Sequence, residues 1–426
     1  MRTLTILLTF FILPALYAQD TLKVMQYNLL YYGVTTDFCT ASNNNINKKD
    51  EYLKTIVNHT RPDILTVNEM SSSPAVHQHL LDQVLNTGGI YYYRKADFKS
   101  VAESQIVNML FYNSNKLVLK NHLIVQSFLR DIDLYELYYR SNDLESGDTA
   151  FIICVVGHLK AGTGTSNENY RKIMAENTMD FLEEYKEEAN YLLMGDFNVY
   201  SAGEPAYQEF LNYNNPSLRF QDPENAYGNW HSNFAFRNHH TQSTSESSNG
   251  CKSGGGSDDR FDFILTSASV MEGTRSVKYI DDSYQTIGQD GNHFNTSINA
   301  LPINTSVPYD VLSALVANSD HLPVVLDLEI DKILDIYTTD RPDKLRIAFA
   351  NPVSGMLHGS LQMDKPAILH FEILDMMGRV HYEVSFMTQQ GMNRITIPLT
   401  KMRAGNYLLR ITDEMKNSRI KKLMIL

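Results

Sequence analysis

Short apolar runs of strand length, separated by longer polar or helical stretches, fill most of the chain. TLKVMQYNLLYYG (Thr21 to Gly33) alternates apolar and polar positions and then stops at glycine, the pattern of a half-buried strand. KKDEYLKTIVNH follows with Leu53, Ile56 and Val57 at helical spacing, Pro62 closes it, and DILTVNEM reads as the next strand. IVNMLFYN, KLVLKNHLIV, DLYELYYRS and AFIICVVGHL are further strands. A charged amphipathic helix, NENYRKIMAENTMDFLEEYKEEAN, leads into YLLMGDFN. DDRFDFIL restores a strand, and a short helix precedes NSDHLPVVLDLEI. Helices and strands mix without a regular β-α-β repeat, which predicts α/β layers with mixed sheets.

Two segments break this pattern. Residues 229–257 (NWHSNFAFRNHHTQSTSESSNGCKSGGGS) form a long Ser/Asn/His/Gly-rich stretch, and loops of that length are functional or disordered. Residues 281–308 are also irregular. From about residue 331 the pattern changes again. Residues 331–342, which run into DRPDK, read as a linker, and residues 343–426 alternate as an all-β module. The expected division is therefore a leader at 1–18, a large domain at 19–330, the linker, and the β module at 343–426.

Length supports that division, since 426 residues exceed one ordinary domain. A net charge of -12 argues against a broad basic surface for gripping nucleic acid. An enzyme that meets phosphates through bound metal stays open. The first residues, MRTLTILLTFFILPALYAQD, combine a positive start at Arg2, an apolar stretch from Leu4 to Leu13 and small residues up to Ala18. They read as a signal peptide, or as an uncleaved anchor. The apolar part is too short to span a bilayer, and no stable membrane insertion is expected. Of three cysteines, Cys154 sits in an apolar strand, while Cys39 and Cys251 lie in polar loops and can pair in an oxidising compartment.

Polar residues gather at the carboxyl ends of the predicted strands: Asn28, Glu69, His158, and Asp196 with Asn198. Asp262 opens DFIL, and Asp320 with His321 precedes LPVVLDL. Singly, each has an ordinary explanation as a turn or cap residue. Together they suit hydrolysis of a phosphate ester. Glu69, with Asp320 or Asn28, can hold Mg²⁺ or Mn²⁺ through oxygen ligands. Asp196 can orient and deprotonate a water, Asn198 can hold it in line, and Asp262 can raise the pKa of His321. No cysteine-rich or histidine-rich spacing points to zinc.

The ordered set YNLL, VNEM, LFYN, GHLKAG, MGDFN, DRFDFIL and SDHLPV resembles the endonuclease/exonuclease/phosphatase superfamily over about Asp20 to Ile330. That resemblance implies a DNase-I-like four-layer α/β sandwich of two packed mixed sheets. It makes Asn28, Glu69 and Asp320 metal-site residues. His158 becomes a phosphate-contacting or general-acid histidine, Asp196 and Asn198 the water-positioning pair, and His321 the catalytic histidine oriented by Asp262. Mg²⁺ is the implied cofactor, with Mn²⁺ or a supporting Ca²⁺ as variants. Tyr112 falls near an active-site tyrosine of some members, or is a core aromatic. Ser71 stands where DNA-cleaving relatives often carry an arginine. Glu103 is the nearest acidic partner for His158 by position. Arg237, His239 and His240 supply substrate contacts or belong to a solvated loop.

The segment with NPVSG, FEILDMMGRV, PLTKMRAGNYLLRI and RIKKLMIL resembles the C-terminal sorting domain of the type IX secretion system, a small β-sandwich. It implies contact with that machinery and export to the cell surface or beyond. The function expected is a secreted metal-dependent phosphodiesterase, an endonuclease acting on DNA or RNA. The alternative is a sphingomyelinase-like enzyme that meets phospholipid through the aromatics of GGIYYYRKADF and NWHSNFAF. A third reading is a non-catalytic surface binding protein.

Overall fold

The computed structural model describes residues 20–142, 144, 149–186, 188–332, 346–349, 351–363, 366–375, 378–400, 402–413 and 418–426. The leader at 1–18 and the linker from residue 333 onward lie outside them. The chain divides into two compact units, Met1–Leu334 and Asp335–Leu426.

The first unit begins β1 (Asp20–Tyr32), α1 (Ile46–Thr60), β2 (Ile64–Ser71), α2 (Pro74–Leu80), β3 (Tyr93–Lys95) and β4 (Ile106–Asn113). It continues β5 (Leu117–Gln126), β6 (Ile132–Tyr139), β7 (Phe151–His158), α3 (Thr165–Tyr185), β8 (Tyr191–Asp196) and α4 (Pro205–Asn212). It ends β9 (Phe220–Gln221), β10 (Asp262–Ser267), α5 (Ala268–Glu272), β11 (Val277–Tyr279), β12 (Gln285–Thr286), α6 (Tyr309–Asn318) and β13 (Val324–Ile330). One sheet runs β11-β13-β1-β2-β4-β3, with β12 also on β13; the other runs β5-β6-β7-β8-β10-β9. Both are mixed, because β1 with β2 and β7 with β8 are parallel pairs inside otherwise antiparallel ladders.

Strand alternation sets the layers. On β7 and β8, Ile152, Cys154, Val156, Leu192 and Met194 join the core shared with β1 and β2. Ile153, Val155, Tyr191 and Leu193 point the other way, onto Met174, Met179 and Leu182 of α3 and Phe210 of α4. Leu53 and Ile56 of α1 and Leu312 and Leu315 of α6 cover the outer face of the first sheet. The result is a four-layer α/β sandwich. Cys154 is buried and free, as a strand residue. Among the described residues no helix is long and apolar enough to cross a membrane.

Gly195 is required by the close approach of β7 and β8. It has φ +147°, and a Cβ there would lie 1.8 Å from the Gly157 carbonyl oxygen.

Cys39 and Cys251 form a disulfide across 212 residues of chain. Beside it Asn43 and Asn249 exchange amide-to-carbonyl bonds at 3.1 Å in each direction. The bond closes a very long loop, so Cys39→Ser should cost about 2–4 kcal/mol of stability. Thermal melts under non-reducing conditions check this. Dithiothreitol should lower the wild-type midpoint to that of the variant and leave the variant unchanged.

The second unit holds β14 (Arg346–Phe349), β15 (Met356–Met363), β16 (Ala367–Leu374), β17 (Val380–Thr388), β18 (Gly391–Pro398), β19 (Gly405–Asp413) and β20 (Ser418–Ile425). They form a three-stranded sheet, β14-β15-β18, and a four-stranded sheet, β17-β16-β19-β20. Leu357, Leu361, Ile395 and Ile397 of the first meet Phe371, Ile373, Leu409, Ile411 and Leu423 of the second in a separate core. This is a small all-β sandwich.

Candidate active site

The two parallel pairs deliver the site. Where β1 and β2 run side by side, Asn28 stands opposite Asn68, one residue before Glu69. Where β7 and β8 run side by side, His158 stands opposite Asp196. Asp262 pairs antiparallel with Asp196 at the start of β10. Asp320 and His321 lie just before β13, which pairs with β1. The C-terminal parts of four strands and the starts of two others thus meet on one rim, where α/β sheets place their ligands.

The side chains touch across the two sheets. Asn28 Nδ2 donates to Asp196 Oδ2 at 2.9 Å and to Glu69 Oε1 at 3.2 Å. His158 Nε2 lies 3.5 Å from Asp196 Oδ2 and 3.8 Å from Glu69 Oε1. His321 Nε2 lies 3.7 Å from the same Asp196 oxygen. On its far side His321 Nδ1 meets Asp262 Oδ2 at 2.8 Å, and Thr241 Oγ1 donates to that oxygen at 2.7 Å. The Gln242 amide stands 2.8 Å from His321 Nε2. Asn198, at φ +52°, donates its N–H to Asp196 Oδ1 at 3.1 Å.

Burial gives these groups unequal proton affinities. It pushes the Asp196 carboxyl up to about 7. Burial, with Asp320 nearby, also lifts Glu69 above the ordinary carboxylate range. It holds His158 well below the usual imidazole value, and the charge of Arg130 acts in the same direction. At His321 burial also opposes the charged form, but Asp262 and Asp196 outweigh it and raise the imidazole well above its usual value. The two histidines are therefore separated: His158 neutral, His321 an imidazolium at neutral pH.

The donors fit a hard divalent cation. Glu69, His158 and Asp196 each offer an atom within 4.8 Å of the others. Asp320 accepts from Ser253 N through Oδ2 at 2.8 Å, while its buried Oδ1 has no hydrogen-bond partner. Two carboxyl groups with one imidazole, and no thiolate, suit Mg²⁺ or Mn²⁺ over softer metals.

Eight residues singled out in the sequence (Asn28, Glu69, His158, Asp196, Asn198, Asp262, Asp320 and His321) therefore lie on one rim. Of the further expectations, that for Glu103 needs correction, and Tyr112 follows its core alternative. Glu103 is exposed, and the carboxyl groups facing His158 are those of Glu69 and Asp196. Tyr112 pairs with Ile64, at the opposite end of β2 from Glu69, and packs on the core. Residues 229–257 are not simply a solvated loop: Trp230, His240 and Thr244 are fully buried, and Thr241 and Gln242 contact the Asp262–His321 pair. Arg237 lies over the Phe234 ring at 4.2 Å, and His239 meets Glu224 at 3.0 Å. Ser71 is buried, and its carbonyl faces His77 Nε2 at 2.6 Å.

The sequence also hid a supporting layer. Asn68 Oδ1 accepts from Asp196 N at 2.9 Å and Gln26 Nε2 at 2.6 Å, and its Nδ2 donates to Asn108 at 2.7 Å. Asn108 reaches Asp133, which pairs with His122 at 2.8 Å. Polar residues inside apolar strands were the available signal.

Comparison with known proteins divides along the same line as the structure. Residues 348–426 match the family described as the secretion system C-terminal sorting domain. The second unit is a sorting domain. Its β-sandwich lies wholly after the site-bearing unit in the chain, and a sorting domain of this kind marks a protein exported by type IX secretion to the cell surface or outside. No curated protein matches the chain at a significant level, over the whole or any part of it. Among solved structures, the human Nocturnin catalytic domain with bound sulfate is 17% identical, covering 73% of this chain and 97% of that one, with a TM-score of 0.42. TDP2 from D. rerio, complexed with a single-strand DNA product, is 16% identical, covering 72% and 99%, with a TM-score of 0.44. An endonuclease/exonuclease/phosphatase family protein from Bacteroides thetaiotaomicron is 14% identical, covering 74% and 97%, with a TM-score of 0.46. Likenesses at these values assign no function to the unit before the sorting domain.

Proposed function

We propose that this exported protein is a divalent-metal-dependent phosphodiester hydrolase, a nuclease that cleaves DNA or RNA outside the cell. The observation that carries the proposal is the meeting of Asp196, shared between Asn28, His158 and His321, with the separately oriented Asp262–His321 pair. Asn28, Glu69 and Asp320 would hold the cation. When bound, it supplies charge to neutralise a phosphoryl oxygen and the developing charge on the leaving oxygen. Asp196, poised near neutral pH, accepts a proton from the attacking water. Asn198 fixes the Asp196 carboxyl through its N–H and lines the path of that water. His321, held by Asp262, donates from a protonated Nε2 to a phosphoryl oxygen. His158 is neutral, so it serves as a hydrogen-bond donor to phosphate rather than as the acid.

A polyanionic substrate is favoured by the cations beside His158. Arg130, His158 and Lys160 line a cavity of about 200 Å³ with Leu129 and Met174. A phospholipid substrate draws on one observation as well: Tyr91 and Phe234, in the two aromatic stretches, are 69% and 58% exposed. The test is hydrolysis by the mature chain, from Asp20 onward, of supercoiled plasmid, RNA and sphingomyelin, with and without Mg²⁺, and with Asp196→Ala as blank. Plasmid or RNA cleavage that needs both metal and Asp196 is expected. Sphingomyelin turnover alone would move the enzyme to lipid, and no metal-dependent cleavage of any of the three would end the hydrolase proposal.

A further inference from the structure

One buried cation behind the site has no part in the chemistry above. Lys49, on α1, is 2% exposed, and its Nζ donates to two main-chain carbonyls, Leu30 O at 3.0 Å and Asn318 O at 2.5 Å. Burying an amine is unfavourable unless its N–H groups are used, and here both acceptors belong to segments that carry site residues: Leu30 lies in the bulge of β1 after Asn28, and Asn318 ends α6.

The first segment, the bulge in β1, is strained. Leu30 and Tyr31 take φ +47° and +49°, left-handed backbone that side-chain-bearing residues avoid. That conformation aims Leu30 N at Asn28 Oδ1 (2.9 Å) and Tyr31 N at Glu69 Oε2 (3.1 Å). Asn44 Nδ2 supports it from outside, on Tyr31 O at 3.0 Å. Strain of this kind persists where surrounding contacts over-determine it. The second segment follows α6. Asn318 is its last residue, Ser319 Oγ donates to Asn28 O at 2.8 Å and accepts from His321 N at 3.1 Å, and Asp320 lies between them.

We propose that Lys49 is a positioning residue for the cation site: it ties the β1 bulge after Asn28 to the end of α6, and so holds Asn28, Glu69 and Asp320 in register. This rests on the metal-dependent function proposed above. The tie needs two N–H bonds, which an ammonium and an amine both supply, so it does not depend on the charge of Lys49.

Lys49→Met and Lys49→Gln in the mature full-length chain test it, with Mn²⁺ binding followed by titration calorimetry alongside kcat. Methionine keeps the bulk without a donor; glutamine is shorter and reaches one carbonyl at most. Both variants should keep the wild-type circular dichroism and bind Mn²⁺ about 10- to 100-fold more weakly. Saturating Mn²⁺ should restore most of the lost kcat, which a general structural defect would not allow. Either folded variant binding Mn²⁺ as tightly as wild type overturns the proposal. If Lys49→Met fails to fold, Lys49→Gln carries the same readout. Loss of fold in both would make Lys49 a general structural residue and overturn the proposal too. A wild type that takes up no Mn²⁺ sinks the metal-dependent function and the tie together; weak effects in the variants beside a wild type that binds sink the tie alone.

Discussion

Glu69→Ala should lower turnover by roughly 10³-fold, because a site cation contributes several kcal/mol of charge stabilisation and each 1.36 kcal/mol is a factor of ten. The loss should come without unfolding. The Glu69 carboxyl contacts Tyr31 N, Asn28 Nδ2 and the His158 ring, all within the site, and supports no part of the apolar core. Its φ of +56° is as strained for alanine as for glutamate, so the substitution gives no compensating relief. Glu69→Gln separates two explanations. The amide oxygen can still accept from Tyr31 N, so a loss close to that of alanine assigns the effect to the carboxylate charge. Kinetics on the substrate found by the side-by-side assay, with thermal melts of each variant, check this. Activity within tenfold of wild type in a folded Glu69→Ala would remove Glu69 from the site.

What could be read in the sequence, and what could not, follows from where information sits in a chain. Strand ends were legible where an apolar run stops at a polar residue, as at His158 and Asp196, while Asn28 interrupts an apolar run that continues to Tyr32. The layers were legible only in outline: mixed helices and strands predicted mixed sheets, but the two parallel pairs that bring His158 opposite Asp196 are long-range register. Tyr112 shows the same limit. It is one apolar strand away from Glu69 in the sequence pattern, yet pairing with Ile64 puts it five residues down β2, roughly 16 Å at 3.3 Å per residue. Backbone strain at Leu30 and Tyr31 left no trace because neither is glycine. Lys49 sits in the charged run KKDE, where a solvated helix face is the ordinary expectation, and only the packing of α1 turns it inward. Thr241 and Gln242 were concealed by the composition of their loop, since a Ser/Thr/Asn-rich stretch looks alike whether it is solvated or buried against Asp262.

Removal of residues 343–426 should abolish export and leave the chemistry intact. Every residue assigned to the site precedes β13, and that unit has its own two cores, one between the sheets and one under α3 and α4. The sorting domain is built on a third core, closed by its own two sheets. It carries no cluster of three His, Cys, Asp or Glu donors among the described residues, and the matched segment runs to the last residue. A chain ending at Pro342 should therefore hydrolyse substrate at the wild-type rate after purification, yet be missing from the cell surface and the medium. Fractionation with an antibody against the site-bearing unit, beside activity of the purified truncated chain, gives both readouts. Truncated protein found outside at the wild-type level would show that export does not use this module. Normal retention inside the cell combined with lost activity would mean instead that the enzyme needs its second unit to fold, against the separation of their cores.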